Sequence, residues 1–208
     1  QGNWQLLAAA ADGYRRADHR GTLVGGRFQR GREPDNGEWH NVRERDRVRA
    51  LQLLHDAEKL ARREKDRFLL SQFYRGCAEL YVQQGSQSWR MQTLTDLDEL
   101  PEVERGYHND RGARGGAPVE ANGKPVLYPV PKSLEAAAND GERWRWLLAR
   151  SEQVSTKWAS SARLDFAQFL YEQFGVQTAA SRLPDSQSRP PALDLRTLGK
   201  DETICQLA

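Results

Sequence analysis

The chain has 208 residues, of which 31 are basic and 29 acidic, for a net charge of +2. That length suits one domain or two small repeat units, and lets the chain bury roughly 70% of its unfolded surface. Near-balanced charge argues against nucleic acid as the default partner, while six Trp, six Tyr and six Phe supply the burial that a disordered chain lacks. No apolar run is long enough to cross a bilayer, so no membrane span is expected in this chain. Two cysteines, Cys77 and Cys205, exclude a disulfide framework, and Cys77 falls on the apolar stripe of a predicted helix as a buried thiol.

Asn3 is placed to cap a first helix over residues 3–17, with Trp4, Leu7, Ala8, Ala11 and Tyr14 at steps of three or four. Residues 18–41, rich in glycine, read as a loop with a short extended piece at Thr22-Leu23-Val24. A second helix follows from about Val42 to Arg63. Val48, Leu51, Leu54, Ala57 or Glu58, and Ala61 mark its apolar face, and Arg43, Arg45, Arg47 and Arg49 a mostly solvated one. Asp66 caps a third helix carrying Leu69, Leu70, Phe73, Cys77, Leu80 and Tyr81, which Gln83-Gln84-Gly85 ends. The short connection predicts an antiparallel hairpin over residues 42–84, with Gly76, Ala78 and Ala61 allowing close approach. Its length matches a tetratricopeptide repeat, although the full signature of that repeat is absent.

A shorter helix is expected over 88–100, with Trp89, Leu94 and Leu97 inward and Pro101 as the stop, closing a first helical unit of residues 1–105. Residues 106–131 form a Gly/Pro-rich insert in which Asn122-Gly123 sits between short extended arms, a strong local hairpin signal. A loop of this length is either functional or packed down by its own side chains, here Tyr107, Leu127 and Tyr128. A second helical hairpin is expected over 132–180. It begins with Ser133 capping a brief helix at Leu134 to Ala138, which Asn139-Asp140-Gly141 interrupts. A helix through Trp144, Leu147 and Leu148 to Val154 follows, then one from Thr156 to Phe174. Trp158, Ala162, Phe166, Leu170 and Phe174 share a face of that helix, and Gly175 caps it. Residues 181–200 read as a Ser/Pro/Arg-rich linker, and 201–208 as the first turn of a helix capped by Asp201. One turn is not stable alone, so the chain reads as a piece of a longer protein whose next residues complete that helix. The fold class expected is all-α, made of tetratricopeptide-like helical hairpins in an α-solenoid, with an insert that holds a small β-hairpin.

The four histidines, His19, His40, His55 and His108, have no i, i+4 partner that would draw a zinc site, and His55 reads as a half-exposed surface residue. The carboxylates Asp96, Asp98, Glu99, Glu102 and Glu104 lie on a polar stretch around a helix end, where a solvated turn outweighs an acid/base pair. Gly112 to Gly116 neither follow a strand nor precede a Gly-Lys-Ser/Thr, so they make no phosphate loop, and no serine sits in a nucleophile elbow. Neither a catalytic constellation nor a cofactor or metal site is drawn. A hydrolase centred on the insert would need His108 to meet a nucleophile.

Two features point instead to contacts. Arg27, Arg30 and Arg32 around Phe28, with the Arg43 to Arg49 run, make the case for a nucleic-acid-binding module, although Glu44 and Asp46 neutralise the second run. Trp144 and Trp146 lie about 200° apart on a helix, so one is core and the other faces a neighbouring element or a partner.

Several stretches belong together as a set. They are Asn3-Trp4-Gln5-Leu6-Leu7-Ala8-Ala9-Ala10, Glu44-Arg45-Asp46-Arg47-Val48-Arg49-Ala50-Leu51-Gln52-Leu53 and Trp89-Arg90-Met91-Gln92-Thr93-Leu94-Thr95-Asp96-Leu97. Gly116-Ala117-Pro118-Val119, Val130-Pro131-Lys132-Ser133, Asp140-Gly141-Glu142-Arg143-Trp144-Arg145-Trp146, Gln173-Phe174-Gly175-Val176-Gln177-Thr178 and Leu198-Gly199-Lys200-Asp201-Glu202-Thr203-Ile204 continue it. In this order they resemble the N-terminal helical region of large bacterial alpha-2-macroglobulin-like proteins. The resemblance implies an exported, periplasmic or cell-surface protein that traps or inhibits proteases, with this segment as a non-enzymatic scaffold. Its partners would be other domains of the same protein, a protease or another protein. Some members carry a Cys-x-Glu-Gln thioester. Cys205-Gln206-Leu207-Ala208 does not match it, so no thioester residue is assigned.

Overall fold

The computed structural model of the chain describes residues 3–34, 38–82, 91–106, 120 and 124–174, with the side chains at 156–158 and 171–174 excepted. Five helices are ordered α1 (Trp4–Arg16), α2 (Arg43–Ala61), α3 (Arg67–Val82), α4 (Asp140–Val154) and α5 (Thr156–Phe174). Four short strands, β1 (Arg20–Val24), β2 (Arg27–Arg30), β3 (His40–Asn41) and β4 (Glu104–Arg105), form an antiparallel sheet in the order β2-β1-β3-β4. The fold is helical at its core but is not all-α. The sheet is built from the segment read as a loop over 18–41 together with Glu104–Arg105, while the turn of the hairpin expected in the insert lies outside the described residues.

That sheet has a local cause. Gly25 and Gly26 take φ of 55° and 77°, the two consecutive positive values that a two-residue hairpin turn demands. They bring Val24 opposite Arg27 and Leu23 opposite Phe28. β3 then adds to the other edge of β1, Arg20 opposite Asn41, and the Val42 amide donates to the His19 carbonyl at 2.8 Å just where α2 begins.

Helix starts follow from capping side chains. The Asn3 carboxamide accepts the Leu6 amide at 3.2 Å, and Asp66 accepts those of Phe68 at 2.9 Å and Leu69 at 3.1 Å. Asn139 accepts the Glu142 amide at 2.9 Å, and Glu142 reaches back to the Ala138 amide at 2.8 Å. The Asn139-Asp140-Gly141 stretch, expected only to interrupt the brief helix before it, therefore caps and opens α4. Before it, residues 133–136 make only a turn, closed by Ser133, in place of the brief helix expected at 134–138.

Helix pairing differs from the expected 42–84 hairpin. α1 lies along α2, α3 along α4, and α4 along α5, whereas the backbones of α2 and α3 approach at few points. Leu51, Leu54, Leu70, Phe73 and Tyr74 still join those two helices in one apolar cluster. Ala61 and Ala78 are buried as expected, but Gly76 is exposed and faces open space. The close approach falls instead between α3 and α4. There Ser71 and Ser151 are fully buried, and each hydroxyl donates to the other residue's carbonyl, at 2.9 and 3.0 Å. Tyr128, Leu134, Trp144 and Phe169 belong to the same cluster as Ala11 and Leu51, so one core runs through the segments on both sides of the insert.

The described part of 88–100 holds no α-helix: a single tight turn at Met91-Gln92 leads into an irregular segment. Thr93 and Thr95 spend their backbone groups on α4, the Asp140 amide donating to the Thr93 carbonyl at 2.9 Å and the Thr95 amide to the Asp140 carboxylate at 3.1 Å. That pairing replaces the i to i−4 ladder. It buries Met91 and leaves Leu94 half exposed rather than inward. In the insert, the Glu120 amide donates to the Lys124 carbonyl at 2.8 Å, while Asn122 and Gly123 lie outside the described residues. So do Tyr107, His108, Trp89, Gln83 to Gly85, Gly175, the 181–200 linker and the 201–208 turn with Cys205.

Candidate functional site

Three clusters of charged side chains sit within the body. The first joins the sheet to α2. Asp46, in the first turn of α2, is buried and accepts two 2.6 Å hydrogen bonds from the Arg30 guanidinium and one of 2.8 Å from His19 Nδ1. Arg30 also donates to the Asp18 carbonyl at 2.9 Å. Burial pushes the Asp46 carboxyl up, but the hydrogen bonds from Arg30 and His19 and their charges outweigh it and hold it below its ordinary value.

The second joins α2, the 93–95 segment and α4. Arg47 donates to Glu44 at 2.8 Å and to the Thr95 hydroxyl at 2.7 Å, and lies 3.7 Å from Asp140. Asp140 accepts the Thr95 hydroxyl and, at 3.1 Å, Arg143, which also donates to the Thr95 carbonyl at 2.8 Å. An acidic residue at the start of α4 complements the helix dipole, and Arg143 one turn on neutralises it. Arg45 donates to the Pro101 carbonyl at 2.7 Å. The Arg43 to Arg49 face is divided: Arg43 and Arg49 are exposed, whereas Arg47 keeps only 16% of its side chain exposed, held by Glu44, the Thr95 hydroxyl and Asp140.

The third lines an open cleft of about 390 Å³ between α2, residues 130–135 and α4. Glu58 is 2% exposed at its base and binds Arg62 through both carboxylate oxygens, at 2.9 Å to Nε and 2.7 Å to Nη2. The Tyr74 hydroxyl donates to Glu58 at 3.3 Å, and Arg62 reaches Glu135 at 3.1 Å. Arg150 lies across the aromatic wall, its guanidinium carbon 5.6 Å from the Trp146 ring centre and 5.8 Å from that of Tyr74. His55, partly buried beside this cleft, sits 4.0 Å from Glu135. Desolvation first, then the nearby Lys59 charge, lowers its pKa.

The contact residues read from the sequence are dispersed by the fold. Trp144 and Trp146 are both buried, at 2% and 8% exposure. Trp144 packs on Phe169 and Phe166 of α5, at 4.5 and 5.9 Å, and Trp146 on Tyr74 of α3 at 5.9 Å. Trp144 is covered by α5, while Trp146, largely covered by α3, keeps its remaining surface on the wall of the cleft. Arg27 is exposed at the start of β2, Arg32 is exposed and donates to Gln29 at 3.0 Å, and Arg30 is held by Asp46. Among the described residues no group of three or more His, Cys, Asp or Glu could hold a metal ion. Likewise, no described helix is long and apolar enough to cross a membrane.

Sequence reasoning passed over Asp46, Glu58, Asp140 and Arg143 as cluster members. For Glu58 a signal existed: a carboxylate on the apolar stripe of α2 with an arginine four residues on. For Asp46 and Asp140 there was none, since their partners come from distant segments. Comparison with known proteins finds no match to a family model, a curated protein or a solved structure.

Proposed function

We propose that the chain is a non-catalytic helical scaffold and protein-interaction segment of a bacterial alpha-2-macroglobulin-like, protease-trapping protein that works outside the cytoplasm. One observation carries the scaffold role. Asp46, Glu58 and Asp140, the buried carboxylates among the described residues, are each paired with an arginine, and each also bonds another element: Asp46 the Arg30 strand, Glu58 Tyr74 of α3, and Asp140 the Thr95 segment. Groups saturated in this way hold elements in place, and leave no free acid/base pair among themselves for chemistry. The pairing of α1 with α2, α3 with α4 and α4 with α5 also supports neighbour-on-neighbour stacking of the α-solenoid kind, the finer architecture we infer. The family assignment rests on the sequence resemblance.

The reading frame beyond Ala208 tests it. Macroglobulin-type β-domains are expected there, and a stop codon would overturn the assignment. At the protein level, the isolated chain should leave trypsin hydrolysis of a protein substrate unchanged while the full-length product suppresses it. Suppression by the isolated chain would move the trapping activity into this segment.

A further inference from the structure

The cleft between α2 and α4 is lined by three cations, Arg62, Lys132 and Arg150, against two carboxylates, Glu58 and Glu135. Both carboxylates are committed to the same cation, Arg62. Arg150 bonds neutral groups, the Gln153 carboxamide at 3.1 Å and the Tyr74 hydroxyl, and lies against the Tyr74 and Trp146 rings. Lys132 is exposed on the opposite wall and has no ion pair among the described residues. Two cations without carboxylate partners therefore face one concave space, whose low-dielectric walls concentrate their field. Part of the wall is apolar: Val130, 47% exposed, with Pro131, Trp146 and Ala149. Its volume of about 390 Å³ suits a side chain with its neighbour rather than a whole macromolecular surface.

We propose that this cleft binds a carboxylate flanked by an apolar side chain on an extended peptide segment, with Arg150 and Lys132 as the binding cations and Trp146 as the apolar platform. Arg62, fixed by Glu58 and Glu135, shapes the rim. That the ligand is a peptide rests on the scaffold assignment above; that it is a carboxylate rests on the cleft alone. The carboxylate is either an acidic side chain or a chain terminus.

The test follows the Trp146 indole N–H of the ¹⁵N-labelled 208-residue chain by NMR, with the peak assigned from Trp146→Phe. The probes are acetyl-Leu-Glu-Leu-amide, its Gln counterpart, N-acetyl-leucine and inorganic phosphate. A saturable shift with the Glu peptide or with N-acetyl-leucine is expected, and which one binds identifies the source of the carboxylate. The Gln peptide should give no saturable shift. Arg150→Gln and Lys132→Ala should each weaken binding about fivefold or more, and added salt should weaken it further. Lys132→Ala alters an exposed side chain, so it keeps the test valid should Arg150→Gln disturb folding. No shift from either carboxylate probe, equal binding of the Gln peptide or of phosphate, or unchanged binding by Lys132→Ala would overturn the proposal. None of these results bears on the reading frame, so the scaffold assignment stands or falls separately.

Discussion

Single residues in this chain derive their roles from atoms far away in sequence. Gly141 lies in the first turn of α4, where sequence alone suggests a break, yet a methyl group at its Cα would overlap the Tyr128 ring. Gly141→Ala should cost about 1–3 kcal/mol through overpacking, more than any gain in helix propensity returns, as a lower urea midpoint would show. Unchanged stability would mean that Tyr128 does not rest on α4. Asp46 gives a pH signature. Its folded pKa lies below the ordinary 3.8, so its stabilising effect is complete above that value and is lost as pH falls through the lower folded one. The lowered pKa of His55 acts in the same direction at higher pH: its neutral form is favoured by folding, so stability declines once pH drops below 6.5 toward its folded value. Asp46→Asn should flatten the acid limb of a stability–pH profile near pH 4 and below, and leave the His55 portion unchanged. A profile identical to the unsubstituted chain would remove Asp46 as its source.

At the scale of elements, helix boundaries were legible because caps are local. Asn3, Asp66 and Asn139 accept amides within three residues, a relation that sequence spacing contains. Pairing was not legible, because connection length constrains where a helix can go but not which face it meets. α2 and α3 are joined through residues 62–66, yet α3 lies along α4, where Ser71 and Ser151 let the backbones approach. A double-mutant cycle with Ser71→Ala and Ser151→Ala should show a coupling of about 1 kcal/mol, with each single change removing a buried hydroxyl's bond to the other helix's carbonyl and its contact with the other hydroxyl. Additive effects would mean that the two hydroxyls do not meet. The sheet was half legible. Thr22-Leu23-Val24 had strand chemistry, and Gly25-Gly26 before Arg27-Phe28-Gln29-Arg30 was the hairpin signal passed over in a stretch read as loop.

For the whole molecule, part of the balanced charge is drawn inward, with Asp46, Glu58, Asp140 and Arg143 buried, while many other charged side chains stay exposed. The case for nucleic acid rested on Arg27, Arg30, Arg32 and the Arg43 to Arg49 face, and two of those guanidiniums, Arg30 and Arg47, are bound to carboxylates. An oligonucleotide titrated at low salt should therefore show weak fluorescence anisotropy changes, and a log K against log salt slope shallower than a six-phosphate contact would produce. A steep slope would restore the Arg27, Arg30 and Arg32 surface as a binding face. Composition and periodicity were enough to determine that the chain builds a helical body around aromatic and aliphatic stripes, with helix starts at Asn3 and Asp66. Those features depend on neighbours within a turn or two. Tertiary structure alone decided that Trp144 and Trp146 are both largely buried, that Arg47 joins an internal cluster, and that Arg150 and Lys132 face one cleft. Such outcomes depend on which distant segments meet, and burial against one partner rather than another leaves no trace in the spacing of residues along the chain.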